Sequence, residues 1–336
     1  MTTSGPAPSI TPTRWRQWSA ALGPWLMLLL AVALLNAEQV KPTAVMRFWP
    51  AWAETGTLAV ALTAIMLTGG IDLSVGSIMA LAGMTLGLLW RDAHLPIVAA
   101  AAAAVLVGGV AGAVNGTLVV LGLPSLVVTL ATMAFYAGLA LAISGGERIS
   151  GLPPEFCDLG RERIAGLPNQ VWLLAAALVV GWILVHHTRF GRYLYAIGDN
   201  RTAATFAAVP VRRLEWSLYV ASGLVAGVVA VFYTARTGAA IPTAGQGREL
   251  EAITCVVLGG TLVTGGFGGI GRTALGIVVL AHLEIALQFA DELKVTLPGS
   301  DTPWQLTSHA RLIILGVLLV AVAIWNQRAR ATASRT

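Results

Sequence analysis

Charge and thiols are the scarce commodities of this chain. Charged residues make up 11% of its 336 positions, and only two lysines occur, Lys41 and Lys294. That poverty departs from the profile of a typical soluble domain. The two cysteines, Cys157 in a polar loop and Cys255 inside an apolar segment, imply neither a disulfide framework nor a metal site. No G-x-x-x-x-G-K-[ST] string exists, so the chain itself cannot hold a nucleotide in a P-loop. The net charge of +5 is not arranged as a basic run interleaved with aromatics, and it does not point to nucleic acid. Clustered His, Asp or Cys residues, which an integral-membrane enzyme would need, are lacking as well.

What fills the space is apolar: 56% of the residues are hydrophobic and the mean hydropathy is +0.77. Runs such as "WLMLLLAVALL" (25–35), "LPIVAAAAAAVLVGGVAGAV" (95–114) and "RLIILGVLLVAVAIW" (311–325) approach or reach the roughly 20 residues that span a bilayer as helix. Ten segments are predicted, near 18–36, 55–69, 73–90, 96–121, 124–144, 170–187, 216–234, 252–263, 270–289 and 308–325. Arg14 and Arg16 ahead of the first run could belong to a cleavable signal peptide, but the many spans that follow favour an uncleaved first span.

Charge orients these segments. Linker 188–215 carries Arg189, Arg192, Arg201, Arg212 and Arg213 against Asp199 and Glu215, and the tail carries Arg328, Arg330 and Arg335. Both belong in the cytoplasm by the positive-inside rule. Segments 145–169 and 290–306 are richer in acids and belong outside. The expected fold is an all-α polytopic membrane protein of about ten transmembrane segments, some short or broken, with cytoplasmic N- and C-termini. Its parts are a flexible N-terminal segment at 1–17, the transmembrane domain at 18–325, with an inner region at 188–215, and a basic tail at 326–336. Arg311, beside His309, opens the last span and can reach back to the interface.

Two apolar stretches, the one ending at Leu67 and the one at 252–263, are too short to cross comfortably. Each runs into Thr-Gly-Gly: "TGGIDLSVGS" from Thr68 and "TGGFGGIG" from Thr264. Short, glycine-interrupted segments in corresponding halves of a transporter can be broken helices lining the pathway. Irregular backbone at membrane depth persists only where protein or a water-filled cavity satisfies its polar groups. The candidate break residues are therefore Gly69, Gly70, Asp72, Ser74 and Gly76, with Thr264, Gly265 and Gly266 in the second turn. Asp72 has three readings: a helix cap with Ser74, a pathway or gating residue, or a proton-relay acid. His282 and Glu284 are the other ionisable groups well inside a span; two apart, they point to different faces of a helix. Gly266, Gly268 and Gly271 have G-x-G-x-x-G spacing, but no βαβ unit surrounds them.

The inner linker has small residues at helical spacing from Asn200 to Val209, bounded by Gly198 and Pro210: either a solvated loop that merely obeys the positive-inside rule, or a short amphipathic surface helix that docks into another protein's groove.

Four strings, "LTGGIDLSVGS", "GLPSLVVTLATMAFYAGLALAISGG", "TRFGRYLYAIGDNRTAATFAAVPV" and "LEAITCVVLGGTLVTGGFGGIGRTALG", together resemble the membrane permease subunits of bacterial ATP-binding-cassette importers for ribose, xylose, rhamnose, autoinducer-2 and similar sugars. The resemblance covers residues 55 to 325. It implies a multi-pass protein of the bacterial cytoplasmic (inner) membrane, not an enzyme, that forms a sugar's translocation path. The implied partners are a second permease copy or paralogue, a cytoplasmic ATPase subunit, a periplasmic or extracellular sugar-binding protein and membrane lipids. No cofactor or metal is implied for this chain, because ATP is bound by the partner. Gly198, Asn200, Ala203, Ala204, Ala208 and Val209 would form the ATPase-coupling element, and Glu249 and Glu251 match a segment beside the pathway. Arg272 departs from the pattern, which has an uncharged residue there. The alternative function is a secondary transporter driven by an ion gradient.

Overall fold

The structure, a computed structural model, describes residues 42–290 together with Val317 and Val320, with side chains described from Met46 to Ile285. The expected segment 1–17, span 18–36, outer stretch 290–306 beyond Ala290, tail 326–336 and, apart from those two valines, span 308–325 lie outside the described residues. Val40–Ala281 forms one unit, and the described residues from His282 onward, including Glu284, belong to a second.

The chain begins with helices α1 (Pro42–Leu67), α2 (Val75–Arg91), α3 (Ile97–Val120), α4 (Ser125–Ser144), α5 (Pro154–Arg161) and α6 (Asn169–Trp182), the last continued by a π turn over Ile183–His187. Then come α7 (Arg189–Asp199), α8 (Arg201–Phe206), α9 (Val211–Thr237), α10 (Arg248–Leu258) and α11 (Ile270–Ala290). Two short antiparallel ladders qualify the all-α expectation. One pairs β1 (Ile149–Ser150) with β4 (Ala239–Ala240), and the other pairs β2 (Arg163–Ile164) with β3 (Leu167–Pro168). The second closes through Ala165 and Gly166, both at positive φ, which is what a two-residue hairpin requires.

Five stretches among the described residues are long and apolar enough to cross a membrane: Met46–Leu67, α3, α4, Asn169–His187 and α9. The first corrects an expectation. The segment predicted at 55–69 is the end of a helix of 26 residues that contains Pro50. Its first half escaped notice because Arg47, Pro50 and Glu54 interrupt the apolar window. α10, by contrast, has 11 residues, about 16 Å of helix, well short of a bilayer's hydrocarbon.

Burial places α2 at the centre of the unit: from Val75 to Gly87 every residue except Thr85 is buried. α3 and α9 lie against each other at backbone distance. A β-carbon on Gly108 would strike the Gly223 carbonyl, one on Gly112 the Tyr219 carbonyl, and one on Gly116 would come within 3.0 Å of the Trp216 carbonyl. Spacing of four puts these glycines on one stripe, the small-residue packing that draws helices together where lipid offers no hydrophobic driving force. Two hydroxyls inside α1 bond the preceding turn: Thr57 donates to the Ala53 carbonyl and Thr63 to the Ala59 carbonyl, both at 2.7 Å.

Candidate functional site at the two glycine turns

After Leu67 the backbone leaves the helix and re-enters it at Val75, so residues 68–74 form a break. Gly69 at φ +82° ends α1 in the left-handed conformation that glycine adopts without steric cost. The freed backbone is served by side chains from elsewhere. Ser125 accepts from the Ile71 amide at 3.2 Å, and the Ile71 carbonyl accepts from Thr129 at 3.3 Å and Tyr219 at 3.5 Å. Neighbouring helices thus supply the polar groups that lipid cannot.

Asp72 is 1% exposed and Ser74 fully buried. One carboxylate oxygen of Asp72 accepts from the Ser74 amide at 2.9 Å and from its hydroxyl at 2.6 Å, and the other accepts from the Ser222 hydroxyl at 3.1 Å. Asn115, from α3, donates to the Ser74 oxygen at 2.7 Å and accepts from Tyr136 of α4 at 3.3 Å. Asp72 therefore fastens the break to α9, and through Ser74 to α3 and α4, using neutral partners only. Ser74 occupies the N-cap position of α2 but makes no side-chain cap bond, because its hydroxyl is already committed to Asp72 and Asn115. Gly76 lies where α2 meets the 241–247 loop: a β-carbon there would run into the Gly245 carbonyl and the Glu249 carboxylate.

The second turn meets the first. The Gly266 amide donates to the Leu67 carbonyl at 2.9 Å, and a β-carbon on Gly69 would lie 3.0 Å from the Thr264 carbonyl. Two strings separated by nearly 200 positions that looked alike in sequence are neighbours in the fold. α7 joins them: Gly198 packs on Leu67 and Gly266, and Tyr195 donates to the Gly268 carbonyl at 3.0 Å. Burial pushes the Tyr195 hydroxyl above the usual tyrosine range, which keeps it a donor. Beside the first turn lies a cleft of about 390 Å³, bounded by Thr68–Gly70, the α3–α4 turn Gly122–Ser125, Arg201, Glu215 and Tyr219.

Of the predicted coupling residues, Asn200 caps α8, its side chain accepting from the Ala203 amide at 2.9 Å. Ala203 and Ala208 are exposed, whereas Ala204 is buried with Ile197 and Val211, and Val209 packs against that cluster. Ala204 and Val209 thus hold the helix to its base. Phe206, at the end of α8, is 88% exposed. An Arg201–Glu215 ion pair ties α8 to α9.

A charged centre that sequence reasoning missed lies at Glu54. Its fully buried carboxylate receives Arg236 at 2.7 and 2.8 Å and Arg248 at 3.3 Å. Both guanidiniums lie 5.3 Å from the Tyr233 ring centroid, and Thr55 donates to Glu251 at 3.3 Å. Glu54 and Arg236 each sit at the very edge of an apolar run, so nothing in the sequence says that they meet. Arg272 lies 4.5 Å from the Phe267 ring centroid. Among the described residues no cluster of His, Cys, Asp and Glu could hold a metal ion.

A family described as "Branched-chain amino acid transport system / permease component" matches residues 52–323. The ribose import permease protein RbsC of Escherichia coli (strain K12) is 35% identical over 267 residues, 78% of this chain and 80% of the relative. RbsC of Bacillus subtilis (strain 168) is 35% identical across 89% of this chain and 92% of its own. The autoinducer 2 import system permease protein LsrD of Yersinia enterocolitica is 32% identical across 94% and 97%. No solved structure matches.

Proposed function

This chain belongs to that family of transport-system permease components, and on this premise we propose that it forms the path of an ATP-binding-cassette importer for a sugar or sugar-like solute. Its place is the bacterial cytoplasmic membrane, crossed by ten segments with both termini inside. Linker 188–215 docks the ATPase, and 145–169 and 290–306 face the solute's binding protein. A second copy or a paralogue completes the path.

Support for the solute class comes from the relatives, which carry ribose and autoinducer 2 in their names, although the family description speaks of branched-chain amino acids. A polyol needs a protein path, because each hydroxyl buried without a hydrogen bond costs several kcal/mol. Energy must come from outside the chain, which has no P-loop. The single observation that carries the ATPase reading is α8: a capped helix with Phe206 88% exposed, on a region seated against both glycine turns. Nucleotide binding then draws the docking helices together, and rocking of rigid bundles alternates access.

Mass spectrometry of proteins copurifying with the tagged chain, gently extracted with an ATP analogue present, tests this. A P-loop ATPase in near-equal amount is the expected result. A clean, partner-free chain would favour the gradient-driven secondary transporter.

A further inference from the structure

The end of α7 sits on a hydrogen bond that directly joins the two glycine turns. That bond runs from the Gly266 amide to the Leu67 carbonyl at 2.9 Å, and a β-carbon on Gly198 would run into both of its atoms. The fit is reciprocal. A β-carbon on Gly265 would lie 2.7 Å from the Gly69 nitrogen and 3.0 Å from the Gly198 α-carbon, and one on Gly266 would lie 3.2 Å from the Asp199 nitrogen. Two further contacts run from the same region to the second turn: Tyr195 donates to the Gly268 carbonyl at 3.0 Å, and a β-carbon on Gly269 would come within 2.8 Å of the His186 ring. On its other side α7 leads through the Asn200 cap directly into α8.

We infer that Gly198, Leu67 and Gly266 form a rigid backbone junction that makes α8 and both glycine turns move as one piece, with Tyr195 as its positioning residue. The inference rests on the docking reading of linker 188–215. Three backbones in van der Waals contact have no slack to absorb a displacement, because close-packed interiors transmit strain instead of dissipating it. A shift of α8 by an ATPase is therefore delivered to the break at 68–74 and to the turn at 264–269 together. The glycines are needed for closeness as well as for backbone angle: Gly198 is helical, yet any side chain there would part the turns.

Spin-label distances measured on the full chain copurified with its ATPase test the junction. Labels go on Thr202→Cys in α8 and Phe267→Cys in the second turn, both exposed positions, while the native Cys157 and Cys255 are buried. Adding a non-hydrolysable ATP analogue should leave the 202–267 distance unchanged to within about 2 Å, the size of an ordinary helix shift. The distance from Thr202→Cys to Val98→Cys, 77% exposed near the far end of α3, should change by more than that. Adding Gly198→Ala, or the gentler Tyr195→Phe, which deletes only the hydroxyl, should make the 202–267 distance respond to nucleotide while the ATPase still copurifies. A 202–267 distance that changes in the otherwise unaltered chain, or one still fixed in both variants, would overturn the junction. Loss of the ATPase from the otherwise unaltered chain would instead overturn the docking reading on which it rests.

Discussion

At the scale of single residues, Asp72 is a buried carboxylate held by neutral donors alone. Its three donors are two groups of Ser74 and the hydroxyl of Ser222. Asparagine can keep the oxygen that faces Ser74 and turn its amide toward the Ser222 oxygen. Asp72→Asn should accordingly retain solute uptake within about two-fold, whereas Asp72→Leu leaves buried hydroxyls unpaired at about 1–3 kcal/mol each and should abolish it. Uptake by cells producing each variant, normalised to membrane-inserted chain, reads the difference; loss of uptake in a well-inserted Asp72→Asn chain would return the proton-relay reading to the field. Glu54 behaves otherwise, since it neutralises Arg236 and Arg248 together. Removing one partner of a buried ion pair costs about 3–5 kcal/mol, so Glu54→Ala should lower the unfolding temperature in detergent markedly, with Arg236→Met in the Glu54→Met background recovering part of the loss. Asp72 was legible because an ionisable side chain among glycines in an apolar chain stands out, although its role as cap, gate or relay stayed open. The Glu54 centre was not, because its members are separated by 182 and 194 positions and each looks like the polar end of a span.

Among the elements, helices were read well where apolar character runs unbroken and poorly where function interrupts it. The expected segments at 96–121 and 124–144 match α3 and α4 to within a residue or so. α1 was cut by half because Glu54 and Arg47 look like a boundary, although Glu54 is fully buried against cations from α9 and the start of α10. The polar residues that serve the break, Asn115, Ser125, Thr129 and Ser222, carried a faint signal as lone polar groups inside or at the ends of spans, but which turn they would serve is decided by packing. The α3–α9 pair yields the test proper to this scale. Gly112→Val must push its β-carbon into the Tyr219 carbonyl, and overpacking of this kind costs about 1–3 kcal/mol. Thermal unfolding should show a clear drop. Gly138→Val on α4, where a β-carbon meets nothing within 4 Å, should show almost none.

For the molecule as a whole, the linker's meaning lies in where it is attached. The docking residues expected from the sequence lie between Gly198 and Val209, and the fold divides them: Gly198 faces the glycine turns, Ala204 and Val209 face the base of the helix, and Ala203 and Ala208 remain outside with Phe206. A linear string cannot make that division, since it depends on which side of a six-residue helix the neighbouring α7 and α9 cover. An exposed aromatic centred on a docking surface is the usual bearer of binding energy, at about 2 kcal/mol or more. Phe206→Ala should cut the ATPase recovered with the chain at least about ten-fold without changing the amount of inserted permease, which quantitative immunoblotting of both subunits would establish.

The source of energy is the central claim, and one uptake measurement addresses it. Cells whose import of labelled sugars from a panel of pentoses and hexoses depends on this chain are treated with an uncoupler that collapses ion gradients while cellular ATP is held up, and in a parallel sample ATP is depleted while the gradient is kept. Uptake should continue in the first sample and stop in the second. Uptake that stops with the gradient and survives the loss of ATP would contradict the importer account and make the chain a secondary transporter.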